Sequence, residues 1–173
     1  MKQLLIASTW FQILWLCAVL GNYQWQNLTL VLVVTTLIIS ALKGWLHWRN
    51  WASILVVGLI VDFVNIKLGM FQFEHQGFPI WLAALWMLFT WYVHFLHPFV
   101  SQYPALVVSI VGGIAGALSY MAGEKFGAVA FGLPFFSVVA ILLVEWFLII
   151  WMILRVHGHE VRNDDGSLSN SDS

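Results

Sequence analysis

Six apolar runs follow one another along the chain, at residues 4–20, 28–45, 51–70, 79–97, 104–123 and 134–154, each closed by a short polar or glycine- and proline-bearing stretch. At about 1.5 Å per residue, runs of about 17 to 21 residues span a hydrocarbon core of ~30 Å. Strand-like alternation is absent. In lipid, only helices and closed barrels satisfy their own backbone groups, so helices are expected. The pattern predicts an all-α polytopic membrane protein, six transmembrane helices in a compact bundle, forming one domain over residues 1–156. Pro79, Pro104 and Pro134 open the last three runs, a position that tolerates a missing N–H. Residues 157–173 turn polar, with Asn, Asp, Gly and Ser. They are expected to form a disordered cytoplasmic tail.

Composition makes lipid the necessary solvent. Of 173 residues, 61% are hydrophobic and 9% charged, against roughly 25% charged in a soluble domain. A net charge of −1 points to no nucleic-acid partner. The lone Cys17 allows no internal disulfide and disfavours a cysteine-based metal site. Bulky Trp15 and Leu16 precede it, which argues against lipidation there. No small-x-small cleavage signal follows convincingly, so the first run is read as a span rather than a leader. Lys2, Lys43, Arg49, Arg155 and Arg162 fall on one side of such a bundle, and Lys67 and Lys125 on the other. The positive-inside rule then sets both termini in the cytoplasm. Trp45, Trp48 and Trp51 bracket one connection, as interfacial anchors do.

Polar residues inside the runs are the candidates for function. Asp62 lies eleven residues beyond Trp51, and Glu145 eleven beyond Pro134; each is ~16 Å in, near the bilayer midplane. A charge at that depth costs about 2.5–3.5 kcal/mol on insertion scales. At least one of the two acids is therefore expected to be neutralised, paired or wetted by a cavity. Gly58, Asp62, Asn65 and Gly69 recur at steps of four, three and four, one stripe of small and polar residues facing other helices. Asp62, Asn65 and Glu145, with His94 on the fourth helix, are the predicted lining of a polar pocket. Lys67 lies off the stripe and is expected to snorkel or to pair with Glu74 or Glu124. Gly112, Gly116, Ser119 and Gly123 form a small-residue ridge for close helix packing, which could alternatively make room for a lipid chain or flat ligand. His94 and His97 lack the further ligands a metal needs, and the same holds for His157 and His159. Neither a metal nor a cofactor is predicted.

Four segments carry a resemblance to a known family: WFQILWLCAVLG at 10–21, GLIVDFVNIKLGMFQF at 58–73, PIWLAALWMLF at 79–89 and AGALSYMAGEKFGAV at 115–129. In their order and spacing the chain resembles the DUF2878 family of small bacterial membrane proteins. Asp62, Gly69 and the run Lys125-Phe126-Gly127-Ala128 match that family's pattern; His94-Phe95 departs from it, standing where Asn-His is expected. The resemblance implies an integral inner-membrane protein of a Gram-negative bacterium. Family members beside genes for fatty-acid modification give a hint about lipids. The residues and the resemblance together lead to a polar pocket that binds or helps modify a lipid-like or small hydrophobic molecule. Any chemistry would be acid–base work by a carboxyl. The expected partners are membrane lipids and such a ligand. A transport or substrate-binding subunit is the rival reading, and a non-catalytic scaffold, whose acids fix helix register, is the third.

Overall fold

The computed structural model describes residues 1–45 and 48–168. Six helices make up the fold: α1 (Lys2–Gly21), α2 (Gln26–Leu42), α3 (Trp48–Lys67), α4 (Ile80–Val100), α5 (Ala105–Lys125) and α6 (Phe135–Leu168). Five hold a stretch long and apolar enough to cross a membrane; α2, at 17 residues, is shorter. At about 1.5 Å per residue α2 reaches ~26 Å, a little under the ~30 Å hydrocarbon thickness. Large apolar side chains stand exposed on the outer faces, among them Val31, Ile38, Ile60, Ile114 and Val144. Water would not tolerate such a surface. The chain is a multi-pass membrane protein.

α4 is the spine. Its inward residues include Trp81, Leu82, Ala84, Trp86, Leu88 and Trp91. One apolar cluster packs α4 with α1 and α2, and a second joins it to α3, α5 and α6. Indole N–H groups tie the helices across both. Trp10 donates to Thr36 Oγ1 at 3.0 Å, Trp15 to Ser119 Oγ at 2.9 Å, Trp91 to Ser40 Oγ at 2.7 Å and Trp51 to the Met87 carbonyl at 3.3 Å. Lipid tails are as apolar as leucine, so interhelical hydrogen bonds and close packing must supply the association. The tryptophans thus act as cross-links, in addition to the anchoring that Trp45, Trp48 and Trp51 are expected to provide. Closest approach comes at α5 on α6, where a Cβ on Gly113 would meet the Leu143 carbonyl and the Phe147 backbone N, both at 3.2 Å.

Two features depart from the sequence expectation. α3 stops at Lys67, short of residue 70, because Gly69 takes φ 73°. Its N–H donates to the Ile66 carbonyl, and that of Met70 to the Asn65 carbonyl: the Schellman cap that a left-handed residue permits. Gly127 (φ 76°) ends α5 in the same way. Each cap turns the chain into a two-residue strand, β1 (Phe71–Gln72) and β2 (Ala130–Phe131), and the two pair antiparallel with Phe71 opposite Phe131. Gly132 closes this ribbon with its N–H on the Met70 carbonyl at 3.0 Å. A Cβ at Gly132 would collide with the Gly69 carbonyl oxygen. Such a short pairing has no alternation long enough to read from sequence.

The second departure is α6, which runs on to Leu168. The tail expected to be disordered from residue 157 is helical that far, and 169–173 lie outside the described residues. Once an apolar span has nucleated a helix, each added residue gains a backbone hydrogen bond without a new nucleus.

Candidate functional site around Asp62 and the aromatic cavity

The buried face of α3 repeats every turn: Ile54, Gly58, Asp62 and Asn65. Asp62 is 1% exposed, so its carboxyl needs partners from the protein. Trp86 of α4 donates Nε1–H to Oδ2 at 2.6 Å, and the Tyr120 hydroxyl of α5 lies 2.7 Å from both carboxyl oxygens. One acid therefore gathers three helices. One turn along, Asn65 Nδ2 donates to Glu145 Oε2 of α6 at 2.9 Å. That adds the fourth helix and brings the second acid beside the first. The acids differ in setting, since Glu145 is only half-buried, at the seam between α3 and α6.

Stacked rings accompany this hydrogen-bonded hub. Trp86 and Trp146 lie 5.4 Å apart and within 7° of parallel. Trp86 lies against Gly58 and Trp146 against Gly116; a Cβ at either glycine would overlap the ring atoms beside it. The order is glycine, indole, indole, glycine, crossing α3, α4, α6 and α5. Phe89 stands edge-on to both indoles, and Phe71 stacks on Tyr120 at 5.0 Å.

The same aromatic groups wall a cavity of about 340 Å³ between α1, α4, α5 and α6, within the ~300–1,000 Å³ range of small-molecule sites. Trp86, Tyr120 and Trp146 line it, with Phe11 and Trp15 of α1 opposite. Asp62 is not among its lining residues: it sits behind Trp86 and Tyr120 and holds them by their polar ends. Ala115 of α5 lines the cavity and is itself exposed, so the space is not sealed on that side. α5 is bridged to α1 at this level by Trp15 and Ser119. A second, polar chamber of about 390 Å³ lies at the ribbon end, lined by Asn22, Tyr23, Gln72, Glu74 and Glu124 among others. Partial burial pushes the Tyr23 hydroxyl above its ordinary titration range, against a lowering by the His75 backbone, and keeps it protonated.

The residues singled out in the sequence are distributed as follows. Asp62, Asn65 and Glu145 come together. His94 does not join them: it lies eight residues beyond Trp86, ~12 Å along α4, half-buried with its ring edge-on to Phe95 at 5.1 Å. It is not among the residues that line the cavity. Gly112, Gly116, Ser119 and Gly123 all line the cavity. Of these, Gly112 and Gly116 also meet α6, at Ile150 and Trp146, while Gly123 has only ordinary contact with Val129 at 3.7 Å. Lys67 places its ammonium over the Phe63 ring at 5.4 Å. Sequence reasoning did not find Trp86 and Tyr120 as partners of the acid, nor Trp146 stacked on Trp86. The available signal was depth: Trp86 and Trp146 sit mid-helix, away from the interface where tryptophans collect.

Residues 4–152 match one family model, described as a protein of unknown function, DUF2878. The chain belongs to the DUF2878 family. No curated protein and no solved structure matches it. For this DUF2878 protein the reading of function therefore starts from the hub and the cavity. Among the described residues, no three His, Cys, Asp or Glu side chains gather as metal ligands.

Proposed function

We propose that this protein binds the apolar chain of a lipid or similar small hydrophobic molecule in the cavity between α1, α4, α5 and α6. The observation that carries the reading is the cavity itself: ligand-sized, walled by aromatic and aliphatic side chains, and open beside the exposed Ala115. An unsealed apolar space of this size in a membrane protein would fill with chain rather than stay empty. In this reading Asp62 is a positioning residue. It fixes Trp86 and Tyr120, and so the shape of the wall, without touching the ligand; Asn65 and Glu145 hold α6 in place beside it. Chemistry on the bound chain would be acid–base work through the Tyr120 hydroxyl, the group joining Asp62 to the cavity wall.

The location belongs to the same proposal. Helices rather than a barrel fit an inner rather than an outer bacterial membrane. With α2 as a sixth, slightly short span, both termini lie in the cytoplasm, on the side of Lys2, Lys43, Arg49 and Arg155.

The test is to fill the cavity from its mouth. Ala115→Trp puts an indole into the space while its backbone stays at an exposed position. Purified wild-type protein is expected to carry chain-bearing molecules near one per chain by mass spectrometry. The variant is expected to lose about nine-tenths of them, a tenfold change corresponding to ~1.4 kcal/mol, with its melting temperature held. Equal retention in a folded variant would remove the proposal.

A further inference from the structure

The two cavities are neighbours. Phe73 and Val129 belong to the walls of both the apolar cavity and the polar chamber. Val129 is buried and Phe73 half-buried, and the two stand between spaces of opposite chemistry. On one side the wall is aromatic and aliphatic. On the other it presents Asn22, Tyr23, Gln72, Glu74 and Glu124, and no Lys or Arg stands among the lining residues. The chamber lies where the α1–α2, α3–α4 and α5–α6 connections come together, at the ends of the spans. That is the depth at which a bilayer lipid carries its head, while the cavity lies at the depth of its chain.

Resting on the reading that the apolar cavity holds a chain, we infer that the occupant is a single-chain amphiphile with a non-anionic, hydrogen-bond-donating head. Its chain lies in the aromatic cavity and its head passes Phe73 and Val129 into the polar chamber. The head class follows from the lining. Two carboxylates, with no Lys or Arg lining the chamber beside them, disfavour a phosphate or carboxylate head, and like-charge juxtaposition is an effective means of excluding a ligand. The same carboxylates, with the side-chain carbonyls of Asn22 and Gln72, accept from a hydroxyl or an amine. The volume fits one chain rather than two: about 340 Å³ stands at the low end of the range for ligand sites.

Native mass spectrometry of the delipidated full chain in detergent tests this, with 1-oleoylglycerol, oleylamine and oleate supplied at equal concentration near neutral pH. The three share one chain and differ in the head. Retention of the glycerol ester and the amine is expected to exceed that of oleate by about tenfold. Glu74→Gln combined with Glu124→Gln is expected to narrow that gap to about threefold or less by admitting oleate. Both positions are exposed, so the fold should tolerate the change. Phe73→Trp, which adds bulk between the two spaces, is expected to lower retention of all three. Equal retention of oleate by the wild-type chain would overturn the head assignment and leave the cavity reading standing. Retention of none of the three would overturn the cavity reading, and this inference with it.

Discussion

Replacing Asp62 with Leu is expected to abolish most of the folded protein recovered after detergent extraction. Leucine has the same number of side-chain heavy atoms but is bulkier, so no hole forms and some overpacking adds to the loss. It leaves the Trp86 N–H and the Tyr120 O–H, both directed at the carboxyl, without an acceptor in a site only 1% exposed. Each orphaned donor costs about 1–3 kcal/mol, and two together take a large share of a stability of about 5–15 kcal/mol. Asp62→Asn is the informative partner. Its amide oxygen still accepts from Trp86, and the Tyr120 oxygen can turn to accept from the new NH₂. A drop of a few degrees in melting temperature is expected for Asn, against loss of a cooperative transition for Leu. If the two variants behave alike, hydrogen-bond geometry is not what Asp62 contributes.

Within the helices, Gly116→Ala is expected to be the most damaging single-methyl change, with Gly58→Ala close behind. Ordinarily one added methylene in a packed core costs about 1–3 kcal/mol, because neighbours shift. Here they have nowhere to go. A Cβ at Gly116 falls on Trp146, Trp146 stacks on Trp86, and Trp86 is packed against Gly58. The displacement must be carried through both indoles or by separating α5 from α6. Loss of the near-ultraviolet circular dichroism of the coupled indoles, together with a fall in melting temperature, would report it. The two substitutions together are expected to cost less than their sum, since the first already breaks the stack that the second strains. Gly123→Ala is the control on the same helix face: its Cβ would meet only Val129 at 3.7 Å, and near-wild-type melting is expected.

Much of the bundle was legible in the residues because lipid imposes few solutions. Run length and the absence of alternation predicted the helices. The four-three-four stripe placed Gly58, Asp62 and Asn65 on the buried face of α3, where they are. Gly69 was read as part of that stripe, yet its role is conformational, since it carries the positive φ that ends the helix. Two acids at matched depth from opposite ends of antiparallel helices pointed to Glu145 as a neighbour of the Asp62 region, and Asn65 makes that connection.

The partners of the acid were not legible. Trp86 and Tyr120 lie 24 and 58 residues from Asp62, and among eleven tryptophans nothing local separates a hydrogen-bonded cross-link from an interfacial anchor. His94 was drawn in because it is polar and near a helix end. Its distance along α4 from Trp86 keeps it out of the hub. The cavity was hidden for a further reason: the small-residue ridge of α5 signals close packing equally well whether a neighbouring helix fills the groove or leaves part of it open.

Where the chain goes can be measured directly, by irradiating the protein in bilayers that contain a single-chain probe with a diazirine at mid-chain and sequencing the labelled peptides. Label is expected on cavity-lining positions of α1, α4 and α5, such as Phe11, Trp15, Leu85 and Ala115, and is expected to fall away when Ala115→Trp occupies the space. Label confined to outward positions such as Val31, Ile38 and Ile60, unchanged by that substitution, would contradict the account.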